Sequence, residues 1–354
     1  GYELSQFGNA KAKWETTSSI NAGFDVTLWD GKFDIAFDWF DRRTTDMLFP
    51  VEVQLTQGVA TNPFQNIGEM QNTGVEVGAN YRGKSGDFSY TIGANFSTYK
   101  NTVIKTNGDP KTQYFGFSNL RLPTGTVAVT QQGFPLASFF GYDILGIFQT
   151  DREAAESPVQ FGGGAMNKAG AFHFRDVNGD KIINSADRTI IGSPHPDFTY
   201  GINLSFNYKN FQLDIFGQGV QGNELFNYVR YWTDFPTFGG NRTQRMYDLS
   251  WRPGKTDAKL PIPRSNDVIS SNPSTYYLED GSYFRLKNVQ LTYNLPQNLI
   301  SRIGLGGLRI WAQGQNLMTI TKYEGLDPEV NLRSYGAGSD RQISPSRDQA
   351  WPGC

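Results

Sequence analysis

The stretch Thr199 to Gln218, TYGINLSFNYKNFQLDIFGQ, decides how the rest of the chain is read. With a period of two, Tyr200, Ile202, Leu204, Phe206 and Tyr208 share one face, while Gly201, Asn203, Ser205 and Asn207 share the other. After a break at Lys209-Asn210 the apolar set resumes at Phe211, Leu213 and Ile215. A two-residue turn then pairs Tyr208 with Phe211, Phe206 with Leu213 and Leu204 with Ile215, all on the apolar face. The polar partners also meet, Asn207 with Gln212 and Ser205 with Asp214. The unit is a β-hairpin with one apolar and one wet face. Its strands are about ten residues long, the length at which a tilted strand crosses a bilayer.

The same rule recurs along the chain. Phe24, Val26 and Leu28 alternate with polar or small residues, Asp30-Gly31 supplies a turn, and Phe33, Ile35, Phe37 and Trp39 return. The pattern predicts strands at 20–29, 32–41, 73–82, 88–97, 199–208, 211–220, 283–294 and 308–317. Between them come short turns and long connections in alternation: a polar stretch over 41–71, and about a hundred loop-like residues before Thr199. The joint 295–307, LPQNLISRIGLGG, has the spacing of a helical turn, with Leu299, Ile300 and Ile303 on one side. Short turns on one side and long loops on the other suit an all-β, antiparallel transmembrane β-barrel with long extracellular loops. A soluble β-sandwich or propeller also alternates, but its strands average about five or six residues. Loops this long over so narrow a barrel are awkward, so these eight strands read as part of a larger one.

Composition agrees. Hydrophobic residues make up 38% of the 354, yet aromatics reach 14% and glycine numbers 39, as expected of strands with many turns and interfacial rings. No run of eighteen apolar residues occurs, which excludes a transmembrane helix but not a strand barrel. Lys and Arg total 32 against 34 acids, with no basic stripe, so no nucleic-acid partner is expected. The one cysteine, Cys354, gives no disulfide framework, and His173 and His195 are too few for a His-rich metal site. The chain opens at Gly1 without Met or a secretory leader, which reads as a processed or truncated start.

Several phrases carry a resemblance: KWETTSSINAGFDVTL (13–28), NTGVEVGANY (72–81), FFGYDILGIFQT (139–150), FRDVNGDKIINSADRTIIGSPHPDFTYGIN (174–203), YYLEDGSYFRLKNVQLTYNLP (276–296) and NLMTITKYEGLDPEV (316–330). In this order the chain resembles the C-terminal part of SusC/RagA-like TonB-dependent transporters of the Bacteroidetes outer membrane. The resemblance implies a barrel of about 22 strands with an N-terminal plug, a segment contacting TonB and a SusD-like lipoprotein lid. It also implies that the plug and the final strand lie outside residues 1–354. The expected function is active import of oligosaccharides or oligopeptides across a Gram-negative outer membrane. The rivals are a passive porin-like channel and a soluble glycan-binding β-protein.

Two constellations stand out as sites. Asp176, Asn178, Asp180, Asn184 and Asp187, with the Ile182 carbonyl, follow the oxygen spacing of an EF-hand or dockerin-like calcium loop. Lys181 replaces the usual glycine, and a solvated turn is the bland alternative. Tyr228, Tyr231, Trp232, Phe235 and Trp251, with Phe226 and Phe238, form an aromatic group near Arg230 and Asp234. Exposed, they would meet cargo or the lid; otherwise they pack the loop. Glu279-Asp280 and Asp327-Glu329 look like carboxylate pairs of a glycosidase, yet they sit in the family's loop wording and read as structural. A GxSxG elbow, a phosphate loop and an HExxH helix do not occur, and no enzyme is expected.

Overall fold

The computed structural model describes residues 9–50, 64–106, 113–115, 122–123, 126–236, 240–265, 267–301 and 304–329. Eight long strands form one antiparallel sheet in chain order: β1 (Thr16–Leu28), β2 (Phe33–Pro50), β3 (Phe64–Ser85), β4 (Phe88–Lys105), β5 (Phe198–Tyr208), β6 (Phe211–Gln221), β7 (Tyr283–Asn294) and β8 (Arg309–Thr321). The edges are β1 and β8, so the sheet does not close on itself.

Register follows the apolar alternation. Tyr208 faces Phe211, Phe206 faces Leu213 and Leu204 faces Ile215. Across the first turn Leu28 faces Phe33, Val26 faces Ile35 and Phe24 faces Phe37. Asp30 and Gly31 take φ of 53° and 84°, the left-handed values a tight hairpin needs. Slipping the pairing by one residue would turn every ring to the wet side, which fixes the register.

Three strands run longer than the alternation predicts. β2, β3 and β4 hold 18, 22 and 18 residues, so much of the expected 41–71 connection is strand, and 51–63 lie outside the described residues. Apolar alternation fades there because both faces are polar. Cross-strand bonds take over: Gln71 Nε2 donates to Asp41 at 2.9 Å and Thr73 Oγ1 to the same carboxylate at 3.3 Å. At about 3.3 Å per residue, 22 residues reach roughly 70 Å, well beyond the ~30 Å of a bilayer core.

The sheet's apolar face is bare. Phe24, Ile92, Ile202, Phe211, Leu291, Ile310 and Ile320 are all exposed. Rings gather at two levels. Near the short turns Trp29 stacks on Phe33 at 5.3 Å, Phe88 on Phe206 at 6.3 Å, and Phe211 lies 4.7 Å from Tyr293. Near the other end Phe96 meets Phe198 at 5.3 Å and Tyr200 stacks on Phe284 at 6.2 Å. Tyr200 and Tyr208 are about 27 Å apart along the strand, which at the usual tilt is roughly 20 Å in depth and close to the ~25 Å apolar band of a membrane barrel. No helix among the described residues is long and apolar enough to cross a membrane.

The chain's core lies elsewhere. The long β4–β5 and β6–β7 connections, expected to be loop-like, fold together into one body. It contains a four-stranded sheet (ordered Thr189–Gly192, Ser138–Gly141, Ala128–Gln131, Gln113–Phe115) and helices α1 (Asp151–Glu156), α2 (Val229–Thr233) and α3 (Gln244–Leu249). Phe139, Tyr142, Phe172, Phe174, Ile183 and Tyr277 are among its buried core. The expected helical turn forms as α4 (Gln297–Ile300), burying Ile300 and exposing Leu299; Ile303 lies outside the described residues. Asn101 of β4 ties the body to the sheet, its Oδ1 accepting from Leu136 N at 2.7 Å while its Nδ2 donates to Asn72. His195 adds a second tie, its ring 3.2 Å from the Tyr99 hydroxyl.

Candidate functional site

The aromatic group is inside the body rather than on it. Phe235 is 1% exposed, and Phe226, Tyr231 and Trp251 are each 9% exposed within the same core cluster. Tyr228 and Trp232 are half-buried against that core. Tyr231 stacks on Tyr228 at 5.5 Å and meets Trp232 edge-on at 5.0 Å. Phe235 packs on Tyr276 and Tyr277 at 5.3 and 5.7 Å. Of the two roles the sequence leaves open for these rings, contact with cargo or lid and packing of the loop, their burial describes packing; alternation in a short loop gives no clue to which face a neighbouring loop will cover. Phe238 lies outside the described residues.

The polar neighbours form a network that sequence reading missed. Arg230 Nε lies 2.8 Å from Glu279 Oε1 as a nearly buried ion pair, although its N–H is not aimed at that oxygen. Arg230 Nη1 donates to the Tyr276 carbonyl at 2.6 Å, and Asn227 Nδ2 to Glu279 at 2.6 Å. Glu324 bridges Arg230, at 3.1 Å, and Arg245. Asp234, buried, takes Arg245 at 3.1 Å and the Tyr276 hydroxyl. Burial, then the Asp234 charge, pushes the Tyr276 hydroxyl well above its ordinary value. Burial opposes the Arg245 cation, but bonds with Tyr276 and Asp234 outweigh it and raise its value. The network holds α2, α3 and the 278–280 strand together.

The second carboxylate pair is also engaged. Asp327 Oδ1 accepts from Arg285 Nη2 at 2.7 Å, and Glu329 Oε2 from Arg285 Nη1 at 2.8 Å. Lys287 Nζ lies 3.0 Å from both Glu329 oxygens, and Gln218 Nε2 donates to Glu329 at 2.8 Å. Arg285 pairs across the sheet with Gln218, and both lie on the polar face with Asp214 and Gln290. That face is concave, with a groove lined by Asp38, Glu76, Asn95, Thr199 and Gln218.

In the 176–187 loop the acidic oxygens face backbone N–H groups. Asp176 accepts from Gly179 and Lys181, at 2.7 and 2.8 Å. Asp180 accepts from Ile182 at 2.8 Å, and Asn184 from Ala186 at 2.8 Å. Asp187, fully buried, accepts from Val177 and Asn184 at 3.0 and 2.8 Å. Among the described residues no three His, Cys, Asp or Glu side chains converge as a metal site would require. The donor types suit calcium; their present arrangement is that of a self-bonded turn.

An apolar face left bare, a polar concave face behind it and a folded body at one end together describe the wall of a membrane barrel. Residues 1–317 match the family model for the TonB dependent receptor-like β-barrel. The chain belongs to the TonB-dependent receptor β-barrel family. TonB-dependent receptor P3 of Formosa agariphila is 35% identical over 336 residues, 94% of this chain and 32% of that protein. TonB-dependent receptor SusC of Bacteroides thetaiotaomicron is 28% identical over 332 residues, 91% of this chain and 30% of that protein. Among solved structures, the RagAB peptide transporter superposes with a TM-score of 0.73 and 26% identity, covering 93% of this chain and 34% of that one. The chain thus spans about a third of the length of these relatives. In family terms the bare apolar face is the lipid side of a barrel wall and the polar face its lumen side.

Proposed function

We propose that this chain is the C-terminal wall and mouth of an outer-membrane transporter that imports oligopeptides or oligosaccharides. The observation that supports this most is the two-faced sheet itself. A wall wet on one side and bare and apolar on the other serves passage across lipid, and a soluble glycan binder would bury that face. The likeness to the RagAB peptide transporter favours peptides; oligosaccharides stay in the proposal as the alternative cargo. Energy comes from TonB acting on a plug in the remainder of the protein, and a SusD-like lipoprotein closes over the external body. No catalytic step is assigned, since Glu279, Asp327 and Glu329 are each tied into ion pairs.

A structural calcium ion in the 176–187 loop belongs to the same proposal. Asp176, Asn178, Asp180, Asn184, Asp187 and the Ile182 carbonyl would hold it, stiffening the external body. The loop would then exchange some N–H bonds for metal bonds.

Deleting the gene and measuring uptake of labelled peptide and glycan mixtures tests the transport reading. Loss of uptake of one class, and its sensitivity to a protonophore in the intact strain, would support it. Uptake that persists after the proton gradient is collapsed would instead indicate a passive channel.

A further inference from the structure

Where β8 ends, the chain does not continue outward. Thr321 Oγ1 donates to the Ser282 carbonyl at 2.9 Å and accepts from Tyr323 N at 3.1 Å, which bends the chain over the rim. Gly325 allows the bend to tighten, since a Cβ there would collide with the Tyr323 ring. Glu324 is held midway: its N–H donates to Glu279 Oε2 at 2.6 Å, and its carboxylate bridges Arg230 and Arg245. Asp327 accepts from Glu329 N at 2.9 Å, closing a short turn that aims both carboxylates at one place. That place is on the lumen face, where Gln218, Tyr283, Arg285 and Lys287 all reach Glu329. Resting on the transporter reading above, we propose that residues 322–329 form a charge-held strap, hooked over the barrel rim and seated on Arg285 and Lys287, that narrows the mouth of the lumen.

The seat is built for carboxylates. The Arg285 side chain is 8% exposed, and its third nitrogen, Nε, donates to Thr319 Oγ1 at 2.9 Å. Its planar fork meets Asp327 and Glu329 together, the geometry in which guanidinium pairs are strongest. Apolar packing of the strap is limited to Pro328, which is buried, and the half-buried Tyr323: Leu326 at its bend is fully exposed, and none of 322–329 belongs to the body's hydrophobic core. What holds its carboxylate end is therefore mainly charge and hydrogen bonding, which water and salt can replace. A strap held this way has two states, seated with the Asp327 and Glu329 charges paired or released with them hydrated, while Glu324 keeps its bridge to Arg230 and Arg245 and the packed body and wall stay unchanged.

The test uses the full-length protein in the outer membrane of intact cells, with Cys354→Ser and a reporter Gln290→Cys on the lumen face below the seat. A membrane-impermeant maleimide is added outside, and the labelling rate is measured. Asp327→Asn with Glu329→Gln is expected to raise that rate at least three-fold. In the protein with an intact strap, raising NaCl to 1 M is expected to raise it likewise, so the result does not hang on how well the double variant folds. A rate unmoved by both overturns the strap. A second reporter, Tyr247→Cys on the exposed side of α3, should label at one rate throughout. If that reporter is unreachable from outside, the outward-facing reading of the body fails; the Gln290→Cys comparison is then made in detergent micelles, where the same ratio decides for or against the strap.

Discussion

Arg230 and Glu279 face each other at 2.8 Å between α2 and the 278–280 strand, their side chains 14% and 6% exposed. Burial makes the pair costly to break from one side, because the remaining charge keeps its desolvation penalty. Glu279→Ala leaves Arg230 with Glu324 and the Tyr276 carbonyl, and leaves Asn227 Nδ2 and Glu324 N without their acceptor. The expected loss is about 3 kcal/mol for the folded body, read as earlier proteolysis of residues 222–282 in a urea series. The wall strands should unfold as before.

The aromatic group makes an opposite pair of predictions. Phe235→Ala empties a fully enclosed site and is expected to cost the body about 3–5 kcal/mol. Tyr247→Ala removes a ring that is 67% exposed and should change stability by less than about 0.5 kcal/mol. If uptake falls in Phe235→Ala while the body's urea midpoint stays put, that ring touches cargo after all.

How much of this was legible depends on what each residue answers to. Leu204, Phe206, Leu213 and Ile215 answer to lipid on one side and water on the other, and a two-way choice repeated along a strand is readable as a period of two. The β5–β6 register could be written down before any coordinates. Asp41, Arg43 and Glu69 stand where both faces are wet, so the same strands became invisible as they left the apolar band. Phe235 and Trp251 answer to residues from another loop, a hundred positions away in the case of Trp251 and Gln149, whose side chains bond at 3.1 Å. No local pattern encodes that. Arg285 and Lys287 did carry a signal: cations on a strand of membrane length call for partners. Their partners in 327–329 lay beyond a turn and had no spacing rule to announce them.

Calcium in the 176–187 loop has a direct test. Titration calorimetry on the full-length protein is expected to give a saturable heat that Asp180→Ala abolishes. At a hundred-fold excess over its dissociation constant, the ion would add about 2.7 kcal/mol to the stability of the body. Absence of heat would leave the Asx turns of Asp176, Asp180 and Asn184 as the loop's whole support.

Neighbouring positions on β5 separate lipid from lumen. Leu204 lies midway between the two ring levels on the apolar face, and Asn203 beside it faces the wet groove. Leu204→Arg is expected to cost about 2–4 kcal/mol when the protein is folded in bilayers, and Asn203→Arg much less. Unfolding in urea from liposomes, followed by heat-modifiable gel mobility, measures both. Equal costs would mean that the apolar face meets protein rather than lipid.

The strap should ignore most of the pH range. Burial alone would raise the Asp327 carboxyl, but the Arg285 guanidinium and the Glu329 N–H outweigh it and hold its value below the ordinary 3.8. A carboxyl depressed in the seated state stabilises that state fully above its ordinary value and loses the contribution as pH falls through the depressed one. The Asp327 contribution to seating is therefore constant from neutral pH down to about 4 and weakens only below 3.8. Spin labels at Leu326 and Tyr247, both exposed, report it without touching the seat. Their distance distribution should stay narrow from pH 8 to pH 5 and broaden only in strong acid. A broadening centred above pH 4.5 would show that some group other than Asp327 governs the hold, and the Arg285 fork would lose its place as the strap's main anchor.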